Sequence, residues 1–173
     1  MKKQSPSRKS PSKAASRATR SSAGKKKRGP FATILVPLDF SGKSRQALAA
    51  ALPLAEQQGG KIILLHVVEP PLVRNVPEFP TYVPVPITDL VKAATARLNA
   101  MARKLVKPAF LSAVLIEVGQ PSIEIVEVAR RRKVDLIAIA SMGRTGLKRL
   151  LLGSTAESVV RHAPCAVLTV RKR

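Results

Sequence analysis

Two short segments in the last third of the chain hold the residue types best suited to binding a ligand. Gly143-Arg144-Thr145-Gly146 follows an apolar run, and Gly153-Ser154-Thr155 precedes a helical one. Glycine lets backbone N–H groups approach an anion closely, and a helix start adds donors and the positive end of the dipole. The hydroxyls of Ser154 and Thr155 can also donate to phosphate oxygens. The same residues equally suit plain turns, with Ser154 as an ordinary N-cap. Residue types alone leave both readings open. Arg144, Lys148 and Arg149 place positive charge nearby, which fits either a polyphosphate or a solvated face.

Other chemistries find less support. Cys165 is the single cysteine, so neither an intramolecular disulfide nor a cysteine metal cluster can form. His66 and His162 lie far apart and make no recognisable ligand set with it. Cys165 reads as a small core residue, because no histidine is placed by sequence to activate it. His66, inside an apolar run, reads as a buried, hydrogen-bonded core residue, and His162 as a partner for a helix C-terminus. With no base or nucleophile evident beside the glycine segments, proficient catalysis is not expected.

The elements that must position these residues follow from hydrophobic periodicity. Thr33–Leu38 is β-branched and short, which predicts a buried strand; Ser41 then caps a helix over Lys43–Gln58 that kinks at Pro53 and stops at Gly59-Gly60. Lys61–Val68 lacks polar alternation, as a central strand covered on both faces should. Glu69–Pro86 holds six prolines and reads as an extended loop. A helix over Ile87–Val106 with Thr88 or Asp89 near its start, a strand at Ala113–Val118, and a helix from Ser122 to about Arg132 come next. The Arg130-Arg131-Arg132-Lys133 run lies at the end of this helix, where positive charge suits the dipole. A strand at Asp135–Ala140, a helix at Ser154–His162 and a strand at Cys165–Val170 complete the series. Strands alternating with helices predict one α/β domain with a parallel sheet and helices on both faces. Ligands then belong beyond the carboxyl ends of the strands, which singles out Pro37-Leu38-Asp39, His66-Val67 and Ala140-Ser141-Met142.

The chain has 173 residues, room for one ordinary domain and an appendage. Its net charge is +21, with eleven Lys or Arg and no acid in residues 1–30 and twenty basic against ten acidic groups in residues 31–173. Residues 1–30 are expected to be a disordered basic tail, since they cannot bury enough apolar surface to offset chain entropy. Such a tail favours anionic partners, nucleic acid among them, with binding that weakens as salt rises. No apolar run reaches the ~18 residues of a membrane span, and the start of the sequence lacks the apolar core of a secretory signal. Its acid-free Ser/Arg composition is shared with transit peptides, but its few apolar residues form no amphipathic stripe. A cytoplasmic location is the expectation.

Three separated motifs agree with one family. Ile34-Leu35-Val36-Pro37-Leu38-Asp39-Phe40-Ser41, Leu64-Leu65-His66-Val67-Val68 and Gly143-Arg144-Thr145-Gly146-Leu147-Lys148-Arg149-Leu150-Leu151-Leu152-Gly153-Ser154 resemble the universal stress protein family over about Phe31 to Arg173. The resemblance implies a single Rossmann-like domain, residues 31–173, with a five-stranded parallel sheet in the order 3-2-1-4-5. It also implies binding of ATP, with or without Mg2+, in a regulatory role with at most slow hydrolysis. The family's nucleotide loop reads Gly-x2-Gly-x9-Gly-Ser/Thr. Gly143, Gly153 and Ser154 match it, Ala140 stands where the first glycine would be, and Met142 stands where the family often has His. By the same resemblance, Asp39 meets the adenosine part, Pro37 and Leu38 line it, backbone groups of Val67 read the adenine edge, and Ser141, Arg144 and Thr155 complete the surround. It implies a homodimer through the last strand. Ala140 and Met142 favour an alternative, a nucleotide-free dimeric interaction module. Specialised pyrophosphatase or nucleotidyl-transfer enzymes of related fold would need Ser-Gly-Gly or His-x-Gly-His signatures, which do not occur.

Overall fold

The computed structural model describes residues 29–70, 86–141 and 152–171. In chain order these residues form β1 (Thr33–Pro37), α1 (Gly42–Gln58), β2 (Lys61–Val68), α2 (Ile87–Leu105), β3 (Leu111–Val118), α3 (Pro121–Arg131), β4 (Leu136–Ala140), α4 (Ser154–His162) and β5 (Ala166–Val170). A 3-10 turn at Pro108–Phe110, not foreseen from the sequence, joins α2 to β3. The strands form one parallel sheet in the order β3-β2-β1-β4-β5.

Alternate strand residues feed two separate apolar layers, as strand geometry requires. Ile34 and Val36 of β1 pack with Leu48 and Ala51 of α1 and Leu98 and Ala102 of α2. Leu35, between them in sequence, packs with Ile125 and Val128 of α3 and Val159 of α4 on the other face. Each such Leu or Ile, fully withdrawn from water, contributes about 1.5–3 kcal/mol before entropy is counted. The continuous apolar character of β1, β2 and β4 is the consequence of covering both faces.

Helix ends follow local chemistry. The Ser41 hydroxyl oxygen accepts the Ser44 N–H at 3.1 Å, the N-cap bond expected there. At the other end of α1, Gly59 adopts φ 63°, ψ 27°, a left-handed conformation that glycine enters without a Cβ penalty. A Cβ on Gly60 would stand 2.7 Å from the Phe31 carbonyl oxygen and 2.9 Å from that of Ala32, so the chain crosses itself too tightly there for any side chain. The helix runs unbroken through Pro53.

Several boundaries differ from expectation for identifiable reasons. The third strand begins at Leu111, not Ala113, because Ile62 pairs with Leu111 and Ile63 with Ala113; a bulge at Ser112 breaks the apolar pattern without ending the strand. The third helix begins at Pro121, whose missing N–H costs nothing at the first helical position. Gly153, not Ser154, is the N-cap of α4, and no side chain caps that helix. Cys165 sits just ahead of β5. Gly29 donates its N–H to the Gln58 carbonyl at 3.0 Å. Of the disordered tail expected at residues 1–30, residues 1–28 lie outside the described residues, as do residues 71–85 of the proline-rich loop.

Candidate functional site

Strand β1 hydrogen-bonds to both β2 and β4, and the helix after β1 lies on one face of the sheet while the helix after β4 lies on the other. A crevice must open where those crossovers diverge. The structure has a cleft there of about 910 Å³. Its floor is the carboxyl ends of β1, β2 and β4, its far wall the first turn of α4, and its near wall α2 and the segment after β1.

The floor is rigid. Leu38 N–H donates to the Leu65 carbonyl at 2.7 Å, and the Leu38 carbonyl accepts from His66 Nδ1 at 2.6 Å. That bond places the His66 proton on Nδ1 when the ring is neutral. Asp39 follows, half-buried, with Oδ1 accepting the Ser41 N–H at 2.9 Å. Burial pushes the Asp39 carboxyl up, but hydrogen bonds from Ser41 and Ser44 together outweigh it and hold the group below the usual carboxylate range. Asp39 is therefore a weakly basic anion at neutral pH.

Phe40 comes next with φ 63°, a conformation that a bulky residue adopts only where its surroundings enforce it. Its ring lies against His66, centroids 4.2 Å apart and planes tilted by 36°. The Arg97 guanidinium of α2 stands 4.3 Å over the same ring, a cation–π contact.

Of the residues singled out by sequence, Pro37, Leu38, Asp39, Val67, Ala140, Gly153, Ser154 and Thr155 all line this one cleft. Ala140 is buried, 8% exposed. Ser141 is not among the lining residues; its N–H donates to the Val170 carbonyl and its carbonyl accepts from Gly153 N–H, each at 2.8 Å, so it anchors the start of α4 from behind. Met142, Gly143 and Arg144, with Gly146, Lys148 and Arg149, lie outside the described residues. His66 departs from the core role expected of it, being half-buried and part of the cleft wall. His162 Nδ1 lies 2.8 Å from the Ser158 carbonyl in the last turn of α4, as its position suggested. Burial, then the charge of Asp135, pushes the Cys165 thiol up, so it stays protonated and inert.

Sequence reading passed over Phe40 as part of the wall, Ser44 and Arg97. A signal existed for Arg97: it falls seven residues after Leu90 and three after Ala94, at the edge of the apolar stripe of α2, where an exposed cation can still reach over the strand ends. Among the described residues, no group of three or more His, Cys, Asp or Glu could hold a metal ion, and no helix is long and apolar enough to cross a membrane.

A parallel α/β domain of order β3-β2-β1-β4-β5, with a cleft at its switch point walled by a helix start, defines the doubly wound, Rossmann-like class. Within it, the model of the universal stress protein family matches residues 30–171, and the chain belongs to that family. Among curated relatives, a universal stress protein of Thermus aquaticus, named for its place in the 3' region of QAH/OAS sulfhydrylase, is 33% identical over 147 residues, covering 82% of this chain and 99% of its own. Universal stress protein MJ0531 of Methanocaldococcus jannaschii is 31% identical over 144 residues, 82% of this chain and 83% of its own. The solved structure of MJ0577 from the same organism superposes with a TM-score of 0.69 at 30% identity, covering 84% of this chain and 99% of that one.

Proposed function

We propose that this universal stress protein binds ATP or a related adenine nucleotide in the cleft, with or without Mg2+, as a cytoplasmic regulator in the stress response. The observation that carries the reading is the convergence of Asp39, Val67, Ala140 and the start of α4, from three strands and a helix, on one space of about 910 Å³. In this reading the Val67 backbone meets the adenine edge, Pro37 and Leu38 line the base, and Asp39 meets the ribose side. Ser154 and Thr155 offer hydroxyls and the α4 start its N–H groups to phosphate, with no side-chain cap competing for them. The loop residues Met142, Gly143 and Arg144 belong to the same proposed surround. Hydrolysis is at most slow, because Asp39, held as a weak base, is poorly suited to activating water. Calorimetric titration of the purified chain with ATP and magnesium should give saturable heat; no heat at millimolar nucleotide overturns the proposal.

One observation favours a second reading, a nucleotide-free dimeric interaction module. The Ala140 methyl lies at the cleft where the nucleotide loop pattern has glycine. ATP binding by Ala140→Gly that is absent from the parent would select this alternative. In both readings the chain forms a homodimer through β5, which pairs only with β4 among the described strands and leaves an edge open. A monomer by light scattering at tens of micromolar would refute the dimer. Residues 1–30 add non-specific attraction for nucleic acid through charge alone.

A further inference from the structure

The Arg130–Lys133 run takes no part in the cleft, and it lies at the opposite end of the molecule. Because the strands are parallel, every strand start and every helix C-terminus gathers at that end. There α2 closes with Arg103 and Lys104, α3 closes with the Arg130 run, Lys61 opens β2, and Lys107 follows α2. Some of these charges are engaged: Arg130 pairs with Glu127, Arg131 with Glu117 and Lys107 with Glu56, while Lys61 Nζ donates to the Ala109 carbonyl. Arg103, Lys104, Arg132 and Lys133 are exposed and have no carboxylate partner among the described residues. At an exposed site the helix dipole favours a cation in the last turn only modestly. It does not require an uncompensated pair at each of two helix ends.

We propose that this end of the folded domain is a docking surface for duplex nucleic acid, with Arg103 and Lys104 on one side of the sheet and Arg132 and Lys133 on the other as phosphate contacts. The first pair ends α2 and the second follows α3, helices that pack in different layers. Charges so divided do not converge on a point, which suits an extended polyanion and not a small anion. Gly29, hydrogen-bonded to Gln58 at the close of α1, joins Lys25-Lys26-Lys27-Arg28 covalently to this same end. The aromatic rings here, Phe31 and Phe110, are half-buried against the core and present no stacking platform for single-stranded bases. Recognition is therefore of the phosphate backbone, independent of sequence. Residues 1–30 contain no aromatic or branched aliphatic side chain to seat in a bilayer, which favours nucleic acid over a lipid surface.

The test uses the full-length chain and a duplex of about 30 bp of arbitrary sequence, read by fluorescence anisotropy across a salt series. Replacing Arg103, Lys104 and Arg132 by Gln and Lys133 by Asn, which tolerates the φ of 50° at that position, should lower the slope of log K against log salt by about 2–4 and low-salt affinity at least roughly tenfold. Each pair replaced separately should give about half the slope change. A control neutralising Lys43, Arg45, Lys92 and Arg171, at the cleft end, removes the same formal charge and should change the slope by less than about 1. Equal losses in the two fourfold variants would reduce the effect to net charge and overturn the proposal, as would no loss in the first. Vesicles of phosphatidylserine form the last arm. Vesicle binding that falls in the first variant while duplex binding does not would assign the surface to a membrane instead.

Discussion

The two ends of the sheet are built on opposite plans. At the strand starts, backbone closes on backbone: Lys61 N–H meets the Ala32 carbonyl at 2.8 Å, Asp135 N–H the Thr33 carbonyl at 2.9 Å, and Thr33 N–H the Asp135 carboxylate at 2.8 Å. Gly60 threads between them with no room for a methyl group. At the strand ends, crossovers diverge and side chains face a hollow, with an anion at Asp39, a strained aromatic at Phe40 and a cation at Arg97. Backbone fills the space at the closed end, and side chains line the space at the open one.

The largest effect should come from the closed end. Gly60→Ala forces a Cβ onto two backbone carbonyls, one of them Ala32's, which accepts the Lys61 N–H, so unfolding free energy should drop by about 1–3 kcal/mol in a denaturant titration. ATP affinity should be unchanged. A loss of nucleotide binding out of proportion to stability would break the division between the ends. Next comes Ser41→Ala, which deletes the N-cap of α1 and should cost about 1 kcal/mol. Because the Ser41 hydroxyl also helps hold Asp39 ionised, this variant should move the Asp39 titration upward, followed by carboxylate NMR. An unmoved titration would separate cap from site.

The smallest effect concerns acid. The folded-state pKa of Asp39 lies below its ordinary value of 3.8, so the unfolded chain takes up this proton first as pH falls. The contribution is fully present above the unfolded value and is lost as pH falls from there through the lower folded value. Asp39→Asn should flatten that segment of the stability profile and lower stability near pH 7 by less than Gly60→Ala does. A profile of Asp39→Asn parallel to the parent below pH 3.8 would show that the carboxylate is not held as described.

Much of this architecture was legible in the letters. The bounds of β2 and α4, the Ser41 cap and the Gly59-Gly60 stop came directly from residue types whose preferences are local. The order of the strands came with the resemblance, because nothing in a strand's own residues says which neighbour it takes. The floor of the cleft was legible too, since strand ends in a parallel sheet are where ligands collect. Its near wall was not. Phe40 and Arg97 meet only because α2 lies beside the segment after β1, and the rotation of a helix about its axis is set by packing at Leu98 and Ala102, not by the charge beside them. The bulge at Ser112 was hidden for a similar reason: an extra residue in a strand looks like the strand's beginning until its partner is known.

Both backbone polar groups of Leu38, in the two peptides that flank its Cα, are engaged, the N–H by Leu65 and the carbonyl by His66. Whatever enters above that backbone meets a surface already ordered, so the entropy of arranging it belongs to the folding reaction and not to association. Association at the base of the cavity should then be nearly rigid-body, with little ordering left to the Leu38 backbone.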